Sequence, residues 1–297
     1  MSLLVLPAPG AEPAAAALAR ILDVPLGTVE SRRFPDGERY LRLQDAVAGR
    51  AVVIVATLRD PDPQALGLWY LAATARELGA TRVGLVAPYL PYMRQDARFR
   101  PGEAVTSAIF ANFISARFDW LATVDPHLHR HHSLSEIYPI AAQAVPSAPA
   151  IARWVRREIG QPVIVGPDAE SAQWVSEVAR HAGCASVVLA KTRKGDRQVE
   201  IAPASAGGLG GCTPVLVDDI VSSGRTLAAA VHQVRRAWGV APVCVGVHAL
   251  FADDAMQVLA QAGAARVVTC NTVPHASNAI DVLPELAASV RALAAAP

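Results

Sequence analysis

The sequence has few of the residues that mark several classes of protein. Its 297 residues include only four cysteines, and its charged fraction is 18%, whereas hydrophobic residues make up 52%. The cysteines form no C-x-x-C pair, so we expect reduced thiols rather than a disulfide framework or a zinc site. The hydrophobic content argues against intrinsic disorder. The chain is long enough for two domains of ordinary size.

Charge and hydropathy argue against nucleic acid and membranes as partners. The formal net charge is +1, which gives no reason to expect nucleic acid or an anionic membrane as a general partner. No apolar stretch is long and uninterrupted enough to span a bilayer. The first residues lack the basic start and cleavage region of a signal peptide and resemble a first strand. We therefore expect a cytoplasmic protein, in which a few basic groups would suffice for a local phosphate site.

Short apolar runs alternate along the chain with longer segments of helical pattern. Continuous apolar runs are typical of strands covered on both faces, and their alternation with helices predicts βαβ units. We expect strands at 51–58, 82–89, 120–125, 162–167, 186–191, 213–218, 243–250 and 266–270. We expect helices at 63–78, 103–117, 169–181, 224–238, 252–262 and 283–295.

A passage rich in proline and alanine, at 139–149, interrupts this alternation and predicts a junction between two α/β domains. We place the first domain at 1–142, with the C-terminal helix 283–297 packed on it, and the second at 143–282. Each is expected to be a mostly parallel sheet flanked by helices. Ligands in such sheets bind beyond the carboxyl ends of the strands, so the chemistry should lie at strand ends.

The strand predicted at 213–218 is followed by the most informative segment of the sequence. Its end carries Asp218 and Asp219, and a turn of small residues, Ser222-Ser223-Gly224-Arg225-Thr226, then opens a helix. Such a turn presents backbone N–H groups and the positive end of the helix dipole to an anion. The paired carboxylates suit ribose hydroxyls or a magnesium ion. An N-capped helix would explain the turn but not two buried carboxylates, so we predict a site for a sugar phosphate with a vicinal diol.

This segment resembles the phosphoribosyl diphosphate motif of type I phosphoribosyltransferases and of ribose-phosphate diphosphokinases, and by itself it does not separate the two. Two other segments favour the diphosphokinases. Arg33-Phe34-Pro35-Asp36-Gly37-Glu38 resembles their Phe-x-Asp-Gly-Glu element, and Tyr89-Leu90-Pro91-Tyr92-Met93-Arg94-Gln95-Asp96 resembles their Pro-Tyr-x-Arg-Gln-Asp element. Alone, a polar hairpin turn and a charged loop would explain them. With all three segments, the chain is identified as a member of the ribose-phosphate diphosphokinase family.

The resemblance implies that both segments bind ATP, and that the first reaches the ATP of a neighbouring subunit. Phe34 can stack on a base, while Arg94 can pair with phosphates and Gln95 can add a hydrogen bond. A monomer would lack a complete ATP site, so a homo-oligomer built from dimers is implied. The implied ATP-binding residues are Phe34, Asp36, Gly37, Glu38, Arg94 and Gln95.

Further matches imply metal binding and catalysis. His127 stands two residues after Asp125, where the family has a magnesium-linked histidine, and Asp168 matches the aspartate of the other magnesium-linked position. The resemblance therefore implies Mg²⁺ as the cofactor. Lys191 and Arg193 match the Lys-x-Arg of the family's catalytic loop, and two cations so close together suit a phosphoryl-transfer transition state.

The implied reaction of nucleotide biosynthesis moves the diphosphoryl group of ATP to the C1 hydroxyl of ribose 5-phosphate, which gives 5-phosphoribosyl 1-diphosphate and AMP. Ribose 5-phosphate would be bound by Arg193, Asp218, Asp219, Ser222, Ser223, Gly224, Arg225 and Thr226. Two alternatives stay open. A phosphoribosyltransferase would need no ATP site. A non-catalytic, regulatory paralog is favoured by Glu170, which stands where the family usually has small residues, and is opposed by the presence of Lys191 and Arg193.

Overall fold

The computed structural model describes residues 2–128, 130–189 and 211–296. In these ranges the chain divides into two units, of which one comprises Met1–Pro146 with Leu283–Pro297 and the other Ser147–Val282. The predicted fold class, two α/β domains with mostly parallel sheets flanked by helices, is confirmed. Every helix of the described ranges is too short or too polar to cross a membrane.

The first unit is built on a parallel sheet. Its strands are β1 (Leu3–Pro7), β4 (Ala51–Val55), β5 (Arg82–Val86), β6 (Trp120–Val124) and β7 (Ala141–Val145), which lie side by side in that order. β4 is buried along its whole length, which accounts for its continuous apolar run. The helices are α1 (Glu12–Leu22), α2 (Pro61–Glu77), α3 (Thr106–Ser115) and α8 (Leu283–Ala295). Because α8 contacts β5, β6 and β7, the C-terminal helix belongs to this unit.

A two-stranded hairpin stands apart from the main sheet of the first unit. It consists of β2 (Val29–Arg33) and β3 (Arg39–Leu43), which pair antiparallel from Val29 opposite Leu43 to Arg33 opposite Arg39. Leu43 is buried, and Val29 and Leu41 pack partly against the same core. The apolar residues at its base therefore attach the hairpin to the unit, whereas residues 32–38 are exposed.

The second unit is built on a six-stranded parallel sheet. Its strands are β8 (Pro162–Gly166), β9 (Ala185–Val188), β10 (Thr213–Val221), β11 (Val243–Ala249), β12 (Arg266–Cys270) and β13 (Asn278–Ile280). Their order across the sheet is β13-β12-β11-β10-β8-β9, so β10 lies between β8 and β11. The helices are α4 (Ala148–Glu158), α5 (Ala172–Ala182), α6 (Arg225–Trp238) and α7 (Ala255–Ala262). The carboxyl ends of β8 and β10 are thus neighbours.

The sequence predicts that the passage at 139–149 interrupts the α/β pattern, but in the structure it continues the pattern. It contains the edge strand β7 and the start of α4, and a proline lies in the first turn of that helix. Proline is favoured at this position because its fixed φ suits a helix start and its missing N–H would have no partner there. Alanine and proline thus form a strand and a helix start here because the tertiary context outweighs local composition.

Candidate active site

Strand β10 carries the two aspartates, and it runs three residues further than the sequence predicts. Its pairing with β8 ends at Leu216, whereas its pairing with β11 continues to Val221. Asp218 and Asp219 therefore lie within the strand but beyond its last pairing with β8. The N–H of Asp219 donates to the Asp218 carboxylate at 3.1 Å, and the N–H of Ile220 donates to the Asp219 carboxylate at 2.7 Å.

A third carboxylate, that of Asp168, lies near this pair. Asp168 follows β8, and its negative charge contributes to raising the pKa of Asp218. Burial, with the charges of Asp219 and Asp168, raises the pKa of Asp218 to about 7. The structure thus brings Asp168, Asp218 and Asp219 together at the carboxyl ends of two adjacent strands. Their mutual repulsion would be relieved by a cation or by hydroxyl donors.

The raised pKa of Asp218 predicts how its charge affects stability in the metal-free protein. Its folded pKa of about 7 lies above the ordinary value of 3.8, so the folded state holds the proton more tightly than the unfolded state. This contribution favours folding below about pH 4 and is lost as pH rises to about 7. We expect the Asp218→Asn variant, which keeps a neutral side chain, to gain melting temperature relative to the unaltered protein across this interval. Thermal melts in chelator at several pH values measure the difference, and a pH-independent difference would contradict it.

The turn after β10 opens α6 without a side-chain cap. Gly224 is the N-cap residue, with φ at +69°, and no side chain accepts a hydrogen bond from the first turn of the helix. A Cβ at this position would lie 3.1 Å from the carbonyl oxygen of Ala255, so glycine fits both the conformation and the space. Glycine is itself a common N-cap residue, so this helix start suits an ordinary cap as well as an anion, and it is the two adjacent aspartates that favour a ligand. Ser223, Arg225 and Thr226 are exposed beside it, and Ser222 is half-buried.

The neighbouring loop supports this turn from the backbone. The N–H of Phe251 donates to the carbonyl oxygen of Val221 at 2.9 Å, and the N–H of Ala252 donates to that of Ser222 at 3.1 Å. The end of β10 is therefore tied to the segment that follows β11. These hydrogen bonds hold the turn in a fixed position relative to the two aspartates. The aspartate pair and the turn are the two recognition elements of the candidate site.

The segment 33–38 forms the tip of the β2–β3 hairpin. The N–H of Gly37 donates to the carbonyl oxygen of Phe34 at 2.9 Å, and the N–H of Glu38 donates to the Asp36 carboxylate at 3.1 Å. One oxygen of Asp36 is therefore used within the turn. Gly37 has φ at +92°, which favours glycine there. The Phe34 side chain is 39% exposed, and the guanidinium of Arg32 lies 4.6 Å from its ring centroid.

The loop between β5 and α3 carries the second predicted ATP segment. Tyr92 adopts φ at +63° and its hydroxyl is hydrogen-bonded to Asp62 of α2; burial and this contact raise the pKa of Tyr92 to about 12. The side-chain oxygen of Gln95 accepts a hydrogen bond from Thr106 at 3.2 Å. Arg94 lies between these two attachments and is exposed. The sequence does not single out Asp62, because only the fold shows which loop reaches the start of α2.

The remaining predicted residues lie in different parts of the chain. His127 follows β6 and is half-buried, two residues beyond Asp125, whose φ of +31° is a strained value of the kind that clusters at functional sites. Lys191 and Arg193 lie outside the described residues. Among the residues that are described, no three histidine, cysteine, aspartate or glutamate side chains are arranged to hold a metal ion by themselves.

Two family models match the chain. Residues 4–117 match the N-terminal domain of ribose phosphate pyrophosphokinase, which is another name for ribose-phosphate diphosphokinase. Residues 137–285 match the phosphoribosyl transferase domain. Curated relatives bear the name ribose-phosphate pyrophosphokinase. That of Methanothermobacter thermautotrophicus is 32% identical over 274 residues, covering 92% of this chain and 94% of the relative. The chain belongs to the ribose-phosphate pyrophosphokinase family.

Other comparisons agree with this family. The ribose-phosphate pyrophosphokinase of Methanopyrus kandleri is 33% identical over 278 residues, covering 93% of this chain and 94% of the relative. The crystal structure of phosphoribosylpyrophosphate synthetase from Mycobacterium smegmatis superposes with a TM-score of 0.84 at 22% identity, covering 99% of each chain, and supports the fold. The family predicted from the sequence is confirmed, and of the predicted functions the matched names support the pyrophosphokinase.

The departure of this chain at Glu170 has a defined place in the fold. Glu170 is exposed in the short 3₁₀ turn Ala169–Ser171, directly after Asp168. The charges that raise the pKa of Asp218 are those of Asp219 and Asp168.

Proposed function

We propose that the protein transfers the diphosphoryl group of ATP to the C1 hydroxyl of ribose 5-phosphate and releases 5-phosphoribosyl 1-diphosphate and AMP. The observation that carries the acceptor side of this proposal is a group of three carboxylates beside the start of α6, at the carboxyl ends of adjacent parallel strands. Membership of the pyrophosphokinase family supports it.

On the acceptor side, the two recognition elements suit the two ends of ribose 5-phosphate. The N–H groups at the start of α6, with the hydroxyls of the turn, suit the 5-phosphate. Asp218 and Asp219 suit the vicinal hydroxyls, because ionised carboxylates accept hydrogen bonds and cannot repel a neutral diol. Since Asp218 has a pKa of about 7, it is a better acceptor above neutral pH than below it.

On the donor side, we propose that Arg94 and Gln95 bind ATP phosphates and that Phe34, with Asp36, Gly37 and Glu38, binds the adenine of a neighbouring subunit. The exposure of Arg94 and Phe34 supports these roles. Asp36 would use its second oxygen toward the base, because its first oxygen accepts a hydrogen bond within the turn. The proposal includes a homo-oligomer built from dimers, without nucleic acid or a membrane as partner, and a cytoplasmic location, as expected from the sequence.

We propose Mg²⁺ as the cofactor, with His127 as a ligand at one magnesium position and Asp168 as a ligand at the other. Magnesium is usually held by one or two carboxylates with substrate phosphates and water, so His127 and Asp168 would each only supplement ligands from ATP and water. The repulsion among the three carboxylates also fits a bound cation. When bound, the ion would neutralise charge on the transferring phosphates. Lys191 and Arg193 would stabilise the same charge, and Arg193 would also bind ribose 5-phosphate.

An assay for AMP tests the proposed function. We expect the protein with ATP, ribose 5-phosphate and magnesium to form AMP and 5-phosphoribosyl 1-diphosphate in equal amounts. The control omits ribose 5-phosphate, which separates the reaction from ATP hydrolysis. Ribose 5-phosphate that binds tightly without any AMP formation would instead favour the non-catalytic paralog.

The Glu170→Ala variant tests whether the unusual carboxylate weakens the enzyme. Because Glu170 is exposed and solvent screens its charge, we expect kcat/KM for ribose 5-phosphate to change by less than about threefold. Steady-state kinetics at fixed magnesium measure this ratio. A tenfold or larger gain would mean that Glu170 does repel substrate or metal in the native protein.

A further inference from the structure

The tip of the β2–β3 hairpin, residues 34–38, extends beyond its paired strands. Arg33 opposite Arg39 is the last pair before this tip. The apolar residues that attach the hairpin to the core lie at the other end, around Leu43. The position of the tip therefore depends on contacts made near its own end of the hairpin.

Arg39 makes such contacts in two directions. Its Nη1 donates to the hydroxyl of Ser31 on β2 at 3.2 Å, and its Nη2 donates to the carbonyl oxygen of Pro63 in α2 at 3.1 Å. One planar guanidinium thus joins both strands of the hairpin to the first turn of α2. The rigid fork of arginine suits this double attachment better than a lysine ammonium does.

The space for this guanidinium is left by Gly67 on α2. Gly67 is buried inside the helix, where glycine is less favourable than alanine. A Cβ at this position would lie 2.6 Å from Nε and 2.8 Å from Cζ of Arg39. The missing side chain of Gly67 therefore allows Arg39 to lie flat on the helix, which gives a physical reason for glycine at a position that local preference disfavours.

We propose that Arg39 and Gly67 form a clamp that fixes the hairpin tip on α2 and thereby sets the affinity for ATP. This inference rests on the proposed function, in which Phe34 of the tip contacts adenine. Arg39 is a positioning residue, since it acts through the hairpin rather than on ATP. A tip that is already ordered loses less conformational entropy when ATP binds, and the clamp strengthens binding in this way.

Two variants remove the clamp from opposite sides. Arg39→Ala deletes the guanidinium, and Gly67→Ala fills its space with a methyl group while improving helix propensity. For Arg39→Ala we expect KM for ATP to rise about five- to tenfold, the effect of losing one or two hydrogen bonds that order the tip. For Gly67→Ala we expect a smaller rise, because the flexible Arg39 side chain can shift away from the new methyl group. We expect KM for ribose 5-phosphate to change less than about twofold, because its site does not depend on the hairpin. The matched control is Arg42→Ala, on the opposite face of the same strand, where Arg42 pairs with Glu30 at 3.9 Å.

Hydrogen–deuterium exchange without ATP separates the clamp from the reaction. We expect faster exchange of the amides of Gly37 and Glu38 in both clamp variants, and unchanged exchange in Arg42→Ala. Unchanged exchange in the clamp variants would overturn the clamp, and faster exchange with an unchanged KM for ATP would overturn its link to affinity. Absence of AMP formation by the unaltered protein would overturn the proposed function instead, while the exchange result would still test the clamp.

Discussion

Replacement of both Asp218 and Asp219 by asparagine is expected to lower kcat/KM for ribose 5-phosphate by at least about 100-fold, while the folded protein becomes more stable. Each carboxylate that accepts a hydrogen bond from the diol contributes about 1.5–3 kcal/mol, so the loss of two such bonds corresponds to about 3 kcal/mol or more. Stability should rise because burial and the charges of Asp219 and Asp168 disfavour the ionised form of Asp218 in the absence of ligand. Kinetics and thermal melts on the same preparation measure both effects.

The chain offers a matched control for this double variant. Asp253 and Asp254 are also adjacent aspartates, they follow the neighbouring strand β11, and both are exposed. Asparagine at both positions keeps the shape of the side chains and tolerates the positive φ of Asp253. We expect little change in kcat/KM for this control. If the double variant of Asp218 and Asp219 were as active as this control, the diol would have to be bound by other residues.

Most strand starts are predictable from the sequence, whereas several strand ends are not. The starts at Ala51, Arg82 and Thr213 agree with prediction, because an apolar run begins sharply after polar or small residues. The ends depend on the neighbouring strand. β4 stops at Val55 although apolar residues continue, and β10 continues through two aspartates because β11 still pairs with it. Strand pairing, rather than the strand's own residues, decides where each strand ends.

The residues of the candidate active site are predictable from the sequence, whereas the contacts between them depend on the order of the strands. The sequence identifies Asp218 and Asp219, since carboxylates are unusual after a buried strand. It also identifies Asp168 at another strand end, but the interaction between Asp168 and Asp218 requires that β10 lie next to β8. In chain order β9 separates these two strands, so the sequence does not show that they are adjacent.

The clamp illustrates what remains beyond sequence reasoning. Gly67 interrupts a helical pattern, and this signal is visible in the sequence as an unfavourable residue inside a predicted helix. Its partner Arg39 lies on a hairpin strand, and nothing in the spacing of the two residues relates them. Only the contact between the hairpin and α2 shows why the glycine is there.

Replacement of Lys191 by alanine is expected to lower kcat about 1,000-fold, near the upper end of the effect of removing one preorganised donor to a developing charge. KM for ribose 5-phosphate should change by less than about threefold, because the lysine is proposed to act on the transferring diphosphoryl group rather than on the acceptor. The matched control is Lys194→Ala, for which we expect nearly full activity. Single-turnover measurements with saturating substrates separate the chemical step from product release.

The scarcity of lysine allows a second, independent measurement of the same role. Lys191 and Lys194 are the only lysines of the sequence, so a reagent that modifies primary amines has two side chains to react with besides the N-terminal amine. If Lys191 contacts the transferring group, ATP with magnesium should slow modification of Lys191 and leave that of Lys194 less affected, as peptide mass analysis would show. Equal protection of both lysines would indicate general closure around the nucleotide, and an unchanged kcat in Lys191→Ala would remove the catalytic role altogether. The combination matters because a fall in kcat alone also follows from misplacing Arg193, whereas protection reports contact at Lys191 itself.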